Sequence, residues 1–232
     1  MRLWNLIRTA SPTANWLAVL SLLLLVGKIF WLNRIPSTID GVYEIGAIFE
    51  AILASVIASY VFYLIVVHIQ EQSDRDALQP YIAKHAQRIV RECASQLSDI
   101  ATKSHVSMTF ETLTEASLSA AFSKLDPNGD SPLLTSWTPT VSTYAPWLRY
   151  MEYHNERTAA AIQRLLAQLR FLDAGLVRLV VDVDDCSHFK VMSFVSKQGV
   201  KNSDMRTFSE GFYEYYQSCQ RLNEYLVANG MG

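Results

Sequence analysis

Three ionisable side chains lie inside or at the edge of two long apolar stretches. Lys28 belongs to the first stretch, and Glu44 and Glu50 belong to the second. An ionisable group in such a setting is costly unless it is paired or has a function. Counting 1.5 Å per helical residue from the segment between the stretches places Lys28 and Glu50 at comparable depths. The sequence therefore predicts a Lys28–Glu50 or Lys28–Glu44 pair that holds two helices together. There are two alternatives. Glu50 lines a hydrated self-association face, or it lines a pore.

A second group of residues could bind a metal ion. Asp184 and His188 have the i,i+4 spacing with which a helix can offer two ligands to a metal ion. No matching ligand set occurs elsewhere in the chain, so such a site would be incomplete and a solvated charged face is the simpler interpretation. The chain also lacks a zinc signature, a phosphate-binding glycine loop and a dinucleotide fingerprint. The sequence thus predicts no cofactor and no metal.

Arg149 and His154 form an R-x4-H pattern. It resembles the signature of HEPN ribonucleases, which are helical bundles that often dimerise, and the resemblance implies that Arg and His act on a scissile phosphodiester. It covers only these residues and general helicity, and Tyr150 stands where that family has a polar residue. On a regular helix the two side chains lie about 140° apart, with His154 beside the apolar seam. A ribonuclease is therefore one functional hypothesis.

The elements that must position these residues begin with the two apolar stretches. They run from about residue 14 to 32 and from about 42 to 69, and each reaches the roughly 20 residues that cross a bilayer as a helix. Residues 1–13 are predicted to form a short interfacial segment. Arg2 and Arg8 precede the first stretch, while Arg34 lies between the two. More basic residues follow the second stretch: Arg75, Lys84, Arg88 and Arg91. This bias predicts a transmembrane hairpin over residues 14–69 with both termini cytoplasmic.

The second stretch is asymmetric about its helix axis, with bulky residues on one half and small residues on the other. The bulky half is assigned to lipid and contains Phe49, Ile52, Leu53, Val56 and Tyr60. The small half contains Gly46, Ala47, Ala51, Ala54, Ser55, Ala58 and Ser59. Small residues allow another helix to approach closely, so this half is the predicted helix-packing face.

Residues 70–232 are more polar, with apolar residues every three or four positions, which is typical of helices. The predicted helices include Leu78–Ile100, a long helix from Pro146 to Leu172, one helix from an Asp173 cap through Val195, and a last one from Phe208 to Leu226. Residues 126–132 are interpreted as a turn-rich break and residues 136–146 as irregular, and no strand pair is predicted. The fold class is therefore all-α: a two-helix transmembrane hairpin followed by a cytosolic helical bundle of four to six helices. Three widely spaced cysteines on apolar faces agree with a reducing compartment.

Three segments carry a broader resemblance: GVYEIGAIFEAILASVIASYVFYLIVVHI, FLDAGLVRLVVDVDDCSHF and SEGFYEYYQSC. They are similar to parts of bacterial two-span membrane proteins of unassigned function. The resemblance implies a bacterial inner membrane and a helical cytosolic domain, but no activity and no site residues.

The leading functional hypothesis is a non-enzymatic, multi-pass inner-membrane protein. Its partners would be the lipid bilayer and either further copies of itself or a cytosolic protein. One alternative is an oligomeric ion channel or membrane-perturbing effector, in stress or phage defence, with Glu50 near the pore. The other is a membrane-tethered ribonuclease that uses Arg149 and His154. A formal net charge of −2 makes nucleic acid an unexpected partner.

Overall fold

The structure is a computed structural model, and it describes residues 10–31, 42–138, 140–198 and 200–231. Helix accounts for 76% and strand for 6%, which confirms the prediction of a mostly helical protein. The chain divides into an N-terminal unit, Met1–Ala77, and a C-terminal unit, Leu78–Gly232. Most of the predicted interfacial segment and of the connection between the apolar stretches lies outside the described residues.

Two long helices form most of the N-terminal unit. Helix α1 spans Pro12–Phe30 and helix α2 spans Val42–Phe62, followed by a π-helical segment, Tyr63–His68. Both α1 and the helical run that starts at Tyr43 are long and apolar enough to cross a membrane. Only 6% and 11% of their most apolar windows are buried in the structure, so neither resembles the core helix of a soluble domain.

The described part of the C-terminal unit contains six α-helices, the first of which starts before the boundary between the units, and two short 3₁₀ helices, Leu169–Phe171 and Arg206–Phe208. The α-helices are α3 (Ile69–Ser104), α4 (Glu115–Phe122), α5 (Trp147–Leu166), α6 (Ala174–Asp184), α7 (Ser187–Gln198) and α8 (Ser209–Ala228). Helix α8 contacts α4, α6 and α7, and α5 contacts α7. The apolar seams predicted for α3 and α8 lie in one hydrophobic core together with the α5 seam as far as Leu165, whereas Leu169 is exposed.

A short β-hairpin precedes α5, so the expectations that residues 136–146 are irregular and that the chain forms no strand pair were wrong. Strand β1 (Asp130–Trp137) pairs antiparallel with β2 (Ser142–Pro146), and the Thr138 amide donates to the Val141 carbonyl at the turn, over 2.9 Å. Threonine, valine and aromatic residues favour strands. The prolines at 132 and 146 are tolerated because both strands of a two-stranded sheet are edge strands.

The helix predicted from Asp173 through Val195 is two helices, α6 and α7. Asp173 does cap the first of them, since its carboxylate accepts from the Gly175 amide over 2.8 Å. The Cys186 amide then donates to the Val183 carbonyl over 3.3 Å, and this tight turn ends α6. The apolar period continues across the turn, because α6 and α7 both bury residues in the same core. Periodicity alone therefore did not reveal the break.

Candidate functional site

Lys28 and Glu50 meet between α1 and α2. The Lys28 Nζ donates to Glu50 Oε2 over 2.6 Å, and the two side chains are 11% and 41% exposed, respectively. Gly46 lies one turn before Glu50, and a Cβ there would be 3.4 Å from Lys28 Cε. The glycine therefore leaves room for the lysine to cross to α2. Glu44 is exposed and makes no ion pair among the residues that the structure describes.

A second polar contact joins the other ends of α1 and α2. The Tyr60 hydroxyl donates to the side-chain oxygen of Asn15, so the two helices run antiparallel. Leu53 lies midway between Gly46 and Tyr60 on the same face and is only 6% exposed. Leu53 and Tyr60 thus lie on the side of α2 that faces α1, although the sequence assigned them to lipid. The polar partners on α1 determine the rotation of α2, and periodicity within α2 carries no information about them.

Gly46 is the one member of the predicted helix-packing face that a described contact places against α1. The other six are exposed in the isolated chain, and we call them the small-residue face: Ala47, Ala51, Ala54, Ser55, Ala58 and Ser59. This face lies beside the α1 contact rather than within it. It is therefore available to a helix outside this hairpin.

A buried carboxylate joins two helices of the C-terminal unit. Glu92 on α3 is 5% exposed and accepts from His154 Nδ1 and Arg157 Nε on α5, both over 2.8 Å. Arg88 Nε lies 3.5 Å from the same carboxylate. Because an ionised carboxylate only accepts, the His154 Nδ1 must carry the proton. We call these four residues the Glu92 cluster.

The electrostatics of the Glu92 cluster favour the ionised carboxylate. Burial alone would raise the pKa of Glu92, but the hydrogen bond from His154 and the positive charge of Arg157 outweigh it. The pKa of Glu92 therefore lies below its ordinary value of 4.5. Arg157 also donates to the Tyr153 hydroxyl over 2.7 Å, which helps to hold the guanidinium in place.

The structure separates the two residues of the R-x4-H pattern. Arg149 pairs with Glu152, and its side chain is 54% exposed. His154 is buried and is held by Glu92. Glu92 and Arg157 were not among the residues predicted to surround His154. Glu92 precedes His154 by 62 residues, and the only local signal was a charged residue next to the apolar seam of α3.

Asp184 and His188 are likewise separated, because the turn between α6 and α7 lies between them. Asp184 is exposed, whereas His188 is 2% exposed and stacks on Tyr215 with 5.5 Å between the ring centroids. Burial lowers the pKa of His188 to about 3, so this side chain is neutral. Among the described residues, no group of three or more His, Cys, Asp or Glu side chains is placed to hold a metal ion.

All three cysteines of the chain are free and buried in the C-terminal unit. Burial raises the pKa of Cys93, and it raises the pKa of Cys186 to about 12. A thiol that is buried and protonated is a poor nucleophile. Thiol reactivity therefore reports unfolding of this unit specifically.

Comparison of the chain with protein-family models, curated proteins and solved structures finds no match. Any assignment of this protein to a functional class therefore rests on the Lys28–Glu50 pair, the Glu92 cluster and the exposed apolar surfaces of α1 and α2.

Tyr150 provides a direct test of the contact between α3 and α5. Its hydroxyl donates to Asp99, and burial together with that carboxylate raises the pKa of Tyr150. Replacing Tyr150 with Phe is expected to destabilise the C-terminal unit by about 1–2 kcal/mol, because Asp99 loses a hydrogen bond. A shift in the temperature at which the thiols become reactive measures the effect. Replacing Tyr216 with Phe is a comparison variant, since it removes a hydroxyl that bonds to the uncharged Phe110 carbonyl and should cost less.

Proposed function

We propose that this protein is an integral membrane protein that self-associates. In this proposal α1 and α2 cross the bilayer as a hairpin, both termini are cytoplasmic, and the C-terminal unit is a cytosolic helical bundle. The exposed small-residue face of α2 is the observation that carries the proposal.

Membrane insertion is supported by the surface of α1 and α2. Large apolar side chains are exposed along both helices, including Leu23, Phe30, Ile45 and Phe62, each more than 60% exposed. Such a continuous apolar surface is unstable in water. In a bilayer it meets lipid, and the helical backbone satisfies its own hydrogen bonds.

Self-association is supported by the small-residue face, which is exposed beside the α1 contact. Helices in lipid associate mainly by close packing of small residues, since lipid removes the hydrophobic driving force. The small-residue face contains two serines that can form hydrogen bonds between helices. A second copy of α2 offers the same face, so the smallest assembly would be a symmetric dimer.

Replacing Ser55 with Leu tests this interface. The bulkier side chain is expected to hold two α2 helices apart and to lower the dimer affinity in liposomes about fivefold or more. Counting photobleaching steps of labelled protein at several protein-to-lipid ratios measures that affinity. Ser55→Ala keeps the surface small and should change the affinity little.

A matched control adds leucine to α1 instead. Gly27 has no neighbouring atom within 4 Å of a Cβ built on it, so Gly27→Leu should leave the affinity unchanged. Equal affinity for the wild type, Ser55→Leu and Gly27→Leu would exclude the small-residue face as the interface.

Three described ion pairs weigh against the alternative functions. Glu50 is neutralised by Lys28, which supports a structural role over a ring of free charges in a pore. His154 and Arg149 have separate acidic partners, which supports a structural role over joint action on RNA. A channel would require ion flux through reconstituted protein that Glu50→Gln alters, and a ribonuclease would require RNA cleavage that His154→Ala abolishes.

A further inference from the structure

Two hydrogen-bonded pairs between helices α3 and α5 are spaced seven residues apart on each helix, and the two helices run antiparallel. Tyr150 on α5 bonds to Asp99 on α3, and Arg157 bonds to Glu92. From the first pair to the second, the position moves seven residues forward on α5 and seven backward on α3. Residues seven apart lie on the same face of a helix, so the same spacing would place Arg164 of α5 opposite His85 of α3.

The electrostatic neighbours of His85 agree with this placement. After burial, the positive charge of Arg164 is the largest influence that lowers the pKa of His85, followed by Lys84 and Arg88. The contacts and the register thus place four residues together, which we call the cationic rung: Lys84, His85, Arg88 and Arg164.

The cationic rung differs from the other two pairs in its charge balance. Arg157 has Glu92, and Tyr150 has Asp99, but the α3 residue opposite Arg164 is a histidine. Neither Lys84 nor Arg164 has an acidic partner among the described residues, and both are exposed. Glu92, one turn beyond Arg88 on α3, is already shared by Arg157, His154 and Arg88.

His85 itself is incompletely paired. It is 6% exposed, and its Nδ1 is buried with no hydrogen-bond partner, while Tyr81 packs against the ring with 4.4 Å between the centroids. A buried polar atom without a partner is uncommon and needs an explanation. Lys84 and Arg164, which have no acidic partner in the described part of the chain, and Arg88, which shares Glu92 with two other residues, form a cationic surface beside His85 that an external anion would complete.

We propose that the cationic rung binds a phosphomonoester dianion. A phosphomonoester carries between one and a half and two negative charges and three acceptor oxygens, which match three cationic donor groups. Arginine also binds phosphate with two parallel hydrogen bonds. A carboxylate brings one charge and two oxygens, and leaves part of the rung unpaired.

Paired ligands of the same shape test the proposal. Phenyl phosphate is expected to bind the full-length protein in neutral detergent, measured by titration calorimetry at low salt. Phenyl sulfate carries a single charge and should bind at least about tenfold more weakly. Arg164→Gln should weaken phenyl phosphate binding about tenfold. Lys103→Gln removes an exposed cation elsewhere on α3 and should not change the affinity.

A second variant places a carboxylate within the cationic rung. His85→Glu should abolish phenyl phosphate binding and raise the temperature of thiol exposure, because Arg164 then has an internal partner. The proposal is overturned if the wild type does not bind phenyl phosphate, if phenyl sulfate binds equally well, or if Arg164→Gln binds as the wild type does.

The source of the phosphoryl group is distinguished in nanodiscs. If phosphatidic acid in the disc prevents phenyl phosphate binding that occurs in phosphatidylcholine discs, a lipid headgroup is the ligand. If binding is equal in both discs, the ligand is a soluble phosphomonoester.

Discussion

Replacing Glu92 with Gln is expected to destabilise the C-terminal unit by about 3 kcal/mol at neutral pH. Removing one partner of a buried ion pair leaves the others without compensation, and here His154 and Arg157 both lose a charged acceptor. For a unit of this size the loss corresponds to a fall of roughly 6–12 °C in the temperature of thiol exposure. Glu156→Gln removes an exposed carboxylate on α5 and should change that temperature little.

The same substitution should change how stability depends on pH. The pKa of Glu92 is lowered in the folded protein, so its contribution is fully present above its unfolded pKa and disappears as the pH falls through the folded pKa. The wild type should therefore lose stability as the pH falls below about 4.5, and Glu92→Gln should lose less over that interval. An identical acid dependence of the two proteins would show that Glu92 is not held ionised by His154 and Arg157.

Separating Lys28 from Glu50 is expected to have the next largest effect. Lys28→Met leaves the Glu50 carboxylate without its cation in an apolar setting and should weaken the α1–α2 contact by about 2–3 kcal/mol. Replacing both residues with Met removes both charges at once and should cost less than about 1 kcal/mol. The difference between the double variant and the sum of the single variants measures the interaction.

Steric trapping in bicelles measures this free energy, with biotin labels at two exposed positions near the Asn15–Tyr60 contact. Glu44→Gln is the matched control, because Glu44 is exposed and no described ion pair includes it. If the single and double variants prove additive, the Lys28–Glu50 pair contributes nothing to holding the helices together.

The sequence by itself determined the features that depend on neighbours along the chain. The seams of α3, α5 and α8 follow from a period of 3.6 residues, and the Asp173 cap follows from its position before an apolar helix. The proximity of Lys28 and Glu50 could also be predicted, because the rise per residue is constant and a short connection fixes the depth of both.

Only the tertiary structure decided which residues on different helices bond to one another. Glu92 and Arg157 are 65 residues apart, and no local spacing relates them. The antiparallel register of α3 and α5 depends on how two surfaces fit together, which a single helix does not encode. The same holds for the rotation of α2 toward α1 and for the turn at Cys186. Local periodicity specifies which face of a helix is apolar, whereas the identity of the group across that face is set by packing of the whole core.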